Sequence, residues 1–173
     1  MSQLSSLSFN SSTDSSLLVR DVAGSYRPAE PAEVLQAALR VLAGQLRGTE
    51  MLSSPQAVRD FLRIKLGTLE HEVFSVIHLD AQHRVIEYTE MFRGTVTQTS
   101  VYPREVVKEA MAHNTAAIVL VHNHPSGVAE PSRADEHLTQ TLKSALSLVD
   151  VRVIDHLIVA GPTILSFAER GLL

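Results

Sequence analysis

The sequence predicts a mixed α/β (α+β) fold, a mixed β-sheet flanked by helices. Three observations lead there. Apolar patterns follow the order helix, two strands, helix, strand, helix, two strands along the chain. The run Ala116-Ala117-Ile118-Val119-Leu120-Val121 is apolar without interruption and reads as a buried strand. At 173 residues and 45% hydrophobic content, the chain is long enough for one well-buried domain with an appendage.

Residues 2–16 carry eight serines, too little apolar area to offset the entropy of ordering, so residues 1–30 are expected to form a mobile Ser-rich arm. Pro28 and Pro31 mark the approach to an N-terminal helical segment, residues 31–50. Within it Val34, Leu35, Ala38, Leu39, Leu42 and Leu46 repeat at helical spacing, while Gly44 and Gly48 blur its end. A domain is expected over residues 53–173. Ser53-Ser54-Pro55 offers an N-cap with proline at the first helical position, and Val58, Phe61, Leu62 and Leu66 fall on one side of the helix that follows. Gly67 is a natural stop.

Val73–Leu79, apolar at alternate positions, and Val85–Phe92 read as a hairpin turned at Asp80-Ala81-Gln82-His83. A short extended segment is expected from Thr95 to Val101. Pro103 then opens a helix with Val106, Val107, Ala110 and Met111 inward. After the strand at 116–122 comes a helix from Ser132 to about Leu148. Val151–Val159 and Ile164–Phe167 close the domain as a strand pair turned at Gly161-Pro162.

Composition narrows the function classes. The chain has no cysteine, which excludes disulfides, thiolate catalysis and cysteine-based metal sites, and which suits a reducing cytoplasm. A formal net charge of −4 is a poor match to duplex DNA, whose non-specific affinity depends on Lys and Arg neutralising phosphates. No apolar stretch approaches the ~20 residues of a membrane span, and the N-terminus lacks the basic and apolar regions of a signal peptide. A cytoplasmic protein with no membrane partner is expected.

One stretch points to chemistry. His122-Asn123-His124-Pro125 leaves the apolar strand, and Ser132-Arg133-Ala134-Asp135 opens the next helix, giving the pattern H-x-H-P-x6-S-x-x-D. Residues i and i+2 of a strand face the same side, and Pro125 biases His124 away from helix, so the two imidazoles converge. Ser132 and Asp135 also fit a plain helix cap with an acidic residue at N3. Two neutral imidazoles and one carboxylate suit Zn2+ with a fourth position left for water. Such a centre needs a general base beside the ligands, and Glu is the expected residue type.

The string is the signature of the JAMM (MPN-type) metalloproteases. Together with Pro103-Arg104-Glu105-Val106, His122 to Gly127 and Asp155-His156-Leu157-Ile158-Val159, the chain resembles the RadC family from about Ser53 to Leu173. The resemblance extends through Ser166-Phe167-Ala168-Glu169 and Gly171-Leu172-Leu173. It implies an MPN/JAMM-like (cytidine-deaminase-like) fold with His122, His124 and Asp135 as zinc ligands. Ser132 would hydrogen-bond a tetrahedral intermediate, alongside its role as a cap. The catalytic acid is placed early in such domains, which favours Glu72, with Glu70 and Glu105 as alternatives. The helix-hairpin-helix region that RadC proteins often carry is not expected in so short an N-terminal part.

Among the other histidines, His156 reads as a buried, hydrogen-bonded core residue or as a partner of the ligands. His137 points away from Asp135. His71, His78, His83 and His113 fall near turns and are expected to be solvated. Arg104 fits a surface ion pair, and Ser126-Gly127 a tight turn.

The resemblance implies a zinc-dependent hydrolase of amide bonds, with a peptide or protein substrate joined through a peptide or isopeptide link. A DNA-repair-associated or DNA-binding role is the alternative. A non-catalytic MPN-type scaffold ranks last, because such scaffolds lose ligands that are all present here.

Overall fold

The computed structural model describes residues 17–49, 51, 55–94 and 100–173. The Ser-rich stretch at 2–16, the cap expected at Ser53-Ser54 and most of the segment expected at 95–101 lie outside them. The chain divides into two compact units, Met1–Ala38 and Leu39–Leu173.

In the first unit, β1 (Leu18–Arg20) pairs antiparallel with β2 (Tyr26–Pro28). The Asp21 carboxylate accepts the Ser25 N–H at 2.8 Å, and Gly24 takes the left-handed conformation (φ +87°) that closes the turn. Strands of three residues are too short to show a period, so no pairing was legible within residues 17–30. Arg27 forks onto Glu33 at 2.7 and 2.8 Å, and Glu33 lies in the first turn of α1 (Pro31–Leu46). That helix runs through Gly44 to Leu46, past the point where glycine blurred its end.

In the second unit, α2 (Pro55–Leu66) starts with proline at its first position and buries Val58, Phe61, Leu62 and Leu66, the four residues that its spacing marks. Gly67 follows it for a reason other than the left-handed stop. A Cβ there would lie 2.5 Å from the Arg63 carbonyl oxygen and 2.8 Å from that of Gly161, so only glycine lets the two backbones approach.

Next come β3 (Val73–Leu79), β4 (Val85–Arg93), α3 (Pro103–Ala112), β5 (Ala117–Asn123), α4 (Arg133–Ser147), β6 (Arg152–Ala160), β7 (Thr163–Ser166) and α5 (Phe167–Arg170). The sheet order is β4-β3-β5-β6-β7. Among the described strands of this sheet β5 and β6 are the parallel pair, and α4 is the crossover that joins them.

Helices cover both faces, so β3 and β5 are buried along their whole length rather than at alternate positions. On one face Ala117, Val119 and Val121 pack with α2 residues Phe61 and Leu62. On the other, Ile118 and Leu120 pack with Val106 and Ala110 of α3 and with Leu142 and Leu146 of α4. The parity of β5 therefore sends His122 and His124 toward the α3/α4 face, and Asn123 toward the other.

Three expectations are corrected. Met111 is 56% exposed rather than inward, because α3 presents only Val106 and Ala110 fully to the sheet. Phe167 begins α5 instead of ending a strand; Ser166 caps that short helix and Gly171 ends it in the left-handed conformation (φ +69°). His78 is fully buried, and half-buried His113 stacks on it with ring centroids 4.4 Å apart. The pair lies under the end of α3, where helical cover replaces solvent. Among the described residues, no helix is long and apolar enough to cross a membrane.

Burial, and then the neighbouring His113, push His78 from 6.5 down to about 4. Its Nδ1 meets the Thr115 hydroxyl at 2.8 Å, whereas its Nε2 is buried with no hydrogen-bond partner. The unfolded chain takes up this proton first on acidification, so His78 lowers stability as pH falls from 6.5 to about 4 and adds no further slope below that. Its share is at most about 3 kcal/mol. Denaturant melts of His78→Phe across this window are expected to show a shallower acid limb than the native chain; an unchanged slope would refute the assignment.

Candidate metal centre

The centre sits where the carboxyl end of β5 meets the amino end of α4. The parallel β5–β6 pairing makes a crossover obligatory, and the crossover helix starts after the loop that leaves β5 through His124. His122 is buried at the end of β5, and His124 is one residue beyond it. His122 Nε2 lies 3.0 Å from His124 Nε2 and 3.2 Å from Asp135 Oδ1, and His124 Nε2 lies 3.7 Å from Asp135 Oδ2.

Hydrogen bonds behind the rings decide which nitrogens carry protons. The Thr139 hydroxyl donates to the Asp135 carbonyl at 2.6 Å, which leaves its oxygen to accept from His156 Nδ1 at 2.7 Å. His156 Nε2 then accepts from His122 Nδ1 at 2.8 Å. His122 therefore turns an unprotonated Nε2 toward the centre. His124 does the same, because its Nδ1 donates to the Val128 carbonyl at 2.7 Å. Gly127, left-handed at φ +77°, turns the chain so that this carbonyl comes back.

Two such nitrogens 3.0 Å apart, facing a carboxylate, need a positive centre among them, a proton or a metal ion. Tetrahedral zinc with bonds of ~2.1 Å sets its donors roughly 3.4 Å apart. His122 Nε2 stands 3.0 Å from His124 Nε2 and 3.2 Å from Asp135 Oδ1, close to that value, and His122, His124 and Asp135 form a group that could hold a metal ion.

Electrostatics agree with an ionised carboxylate. Burial pushes the Asp135 carboxyl up. Where a proton takes a metal ion's place on one of these nitrogens, hydrogen bonds from the His122 or His124 ring so protonated and from Ser132 outweigh burial and hold the group well below the ordinary carboxylate range. That same hydrogen bond to Asp135 raises His124, and the charge of Glu72 adds to the push. Burial, and then His122, hold His156 far below the usual imidazole range, so it is a neutral partner. Its ring stacks on Phe167 at 4.7 Å and meets the edge of Phe74 at 6.1 Å. Asp155, beside it, accepts from the Ser166 hydroxyl and the Ala168 N–H, which ties the start of α5 to β6.

Ser132 is the N-cap of α4 in a capping box with Asp135. Its N–H and its hydroxyl both donate to Asp135 Oδ2 at 2.7 Å, leaving Oδ1 turned toward His122. Of the three candidate acids, Glu72 immediately precedes β3 and acts electrostatically on His124. Glu70 is exposed, and Glu105 pairs with Lys108 at 2.7 Å on α3. His137 is exposed.

Sequence reasoning missed Thr139. Its signal is the i+4 spacing from Asp135, which puts both on the face of α4 that meets β6.

A second group, His78, Glu109 and His113, also brings three ligand atoms close together. Its imidazole planes are within 13° of parallel, so their in-plane lone pairs do not meet at one point. The His122 and His124 planes are inclined at 61°, and their Nε2 atoms lie 3.0 Å apart.

The model of the RadC-like JAB domain family matches residues 52–172, most of the chain and all of the centre. The chain belongs to that family. Relatives within it are much alike over their shared length. A UPF0758 protein of Leptothrix cholodnii is 61% identical over 150 residues, covering 87% of this chain and 68% of the relative. One from Methylibium petroleiphilum shows the same figures, 61% identity with 87% and 68% coverage. One from a Polaromonas species is 59% identical, with 87% and 67% covered. The RadC-like fold, with its five-stranded mixed sheet between helices, is the α/β architecture that the sequence predicts.

Removing the cap should separate helix stability from ligand placement. Ser132→Ala is expected to cost about 1 kcal/mol of stability, as loss of an N-cap hydroxyl does. Urea denaturation read by circular dichroism checks this, and a change under a few tenths of a kcal/mol would show the cap to be incidental.

Proposed function

We propose that this chain is a zinc-dependent hydrolase of amide bonds, acting on a peptide or isopeptide link in a protein or peptide substrate. The observation that carries this reading is the convergence of His122 Nε2, His124 Nε2 and the Asp135 carboxylate, with both imidazole tautomers set by hydrogen bonds behind them. Membership of the RadC-like JAB family supports it. Zinc held there acidifies water and polarises a carbonyl.

The chain's own groups do the rest. His122, His124 and Asp135 hold the ion. His156 and Thr139 keep His122 in the tautomer that can ligate, and Val128 does so for His124. Glu72, at the edge of the centre, takes the proton from water on its carboxylate and returns it to the leaving amine. Ser132 orients Asp135 through its N–H, and its hydroxyl turns from the Asp135 carboxylate to donate to the developing oxyanion.

The test is metal content followed by cleavage. The native chain is expected to retain one zinc through dialysis, and His122→Ala with His124→Ala to retain none. Glu72→Gln should keep the zinc and lose about 100-fold or more of the cleavage of a peptide or isopeptide substrate. A native chain without metal affinity would end the hydrolase reading, whereas full activity in Glu72→Gln would remove only Glu72 from it. Thr139→Val, which deprives His156 of its acceptor, is expected to weaken zinc binding roughly 10–100-fold by calorimetry. Unchanged affinity would show that the chain through His156 does not set the ligand.

A further inference from the structure

Asn123 sits between the two histidines, yet its side chain leaves the sheet on the face away from them. It is 1% exposed, at a depth where an amide must find partners. Both of its polar groups do. Oδ1 accepts the Val73 N–H at 2.8 Å, and Nδ2 donates to the His71 carbonyl at 3.0 Å. These two groups belong to the peptide units on either side of Glu72. The second of those units is also held through its own carbonyl, since the Gly94 N–H donates to the Glu72 oxygen at 2.8 Å.

Both torsions of Glu72 are thus fixed by three hydrogen bonds, two of them from one side chain. The β3–β5 ladder pairs Phe74 with His122, and continuing that register places Glu72 opposite His124. Asn123 takes over from the ladder at this point: the β3–β5 pairing ends at Phe74 and His122, while the β5–β6 pairing continues to Asn123 and Val159.

We propose that Asn123 is a positioning residue. By clamping the peptide units on both sides of Glu72, it aims that carboxylate at the metal centre from a position between His122 and His124. This rests on the reading of Glu72 as the proton carrier. It explains why a carboxamide suits the position between the histidines: no other small side chain offers a donor and an acceptor at that spacing.

The test uses the full chain loaded with zinc, and acetohydroxamate as the probe. A hydroxamate chelates the ion through its oxygens and hydrogen-bonds to a carboxylate beside it. Native protein, Glu72→Gln, Asn123→Ala and the double variant are compared by calorimetry. Amide exchange is followed by NMR in the metal-free protein. All four proteins are expected to bind one zinc. Glu72→Gln should weaken acetohydroxamate at least tenfold and Asn123→Ala nearly as much, while the double variant should be no weaker than Glu72→Gln. The Val73 amide should exchange at least tenfold faster in Asn123→Ala.

Native-like probe affinity in Asn123→Ala, additive losses in the double variant, or loss of zinc would each overturn the proposal; the last would place the effect on the ligands. An unchanged Val73 exchange rate would overturn the clamp itself. If the native chain binds no zinc, or Glu72→Gln binds the probe normally, the reading of Glu72 fails and the proposal falls with it, even where the exchange data show the clamp. Should Asn123→Ala not fold, Asn123→Asp keeps the shape and the acceptor but loses the donor, and the same comparisons decide.

Discussion

The parallel pairing of β5 with β6 is the constraint on which the centre depends. A parallel neighbour cannot be reached by a tight turn, so a helix must return across the sheet. That requirement puts the amino end of α4 beside the carboxyl end of β5, and Asp135 beside His122. The same pairing puts His156 of β6 under His122, where their ring nitrogens meet at 2.8 Å. One topological feature thus supplies a carboxylate from in front and a hydrogen-bond acceptor from behind.

From there the polar network is built almost wholly of neutral groups. Burial keeps His156 uncharged, and an uncharged imidazole has one donor and one acceptor to offer. The direction of the chain from His122 to Thr139 then follows from one fact, that the Thr139 hydroxyl is already committed to the helix carbonyl of Asp135. An ordinary side-chain hydrogen bond within a helix turn therefore sets the protonation of an imidazole on a neighbouring strand.

Much of this was legible in the sequence. The i, i+2 rule put His122 and His124 on one side, and the S-x-x-D spacing put Asp135 at a helix start; the parity of the buried β5 and the capping box agree with both. The four apolar residues of α2 were equally plain. Contacts that join distant segments were hidden. The i+4 spacing places Thr139 on the face of Asp135 but does not show its partner His156, 17 positions away, and Asn123 acts on a residue 50 positions away. His78 looked solvated because a lone histidine near a turn gives no sign of a helix end closing over it. The short strands β1 and β2, and the single turn of α5, fall below the length at which a period can be read.

The capping box has a further consequence. Asp135 gives one oxygen to the first turn of α4 and the other to the centre, so the group that starts the helix also faces the place where a metal ion could be held. For an ion bound there, affinity and domain stability would be two readings of one free energy. A ligand at a thousand times its dissociation constant raises stability by about 4 kcal/mol, provided the unfolded chain does not bind it. The melting temperature of the domain would then be a gauge of occupancy at a single carboxylate.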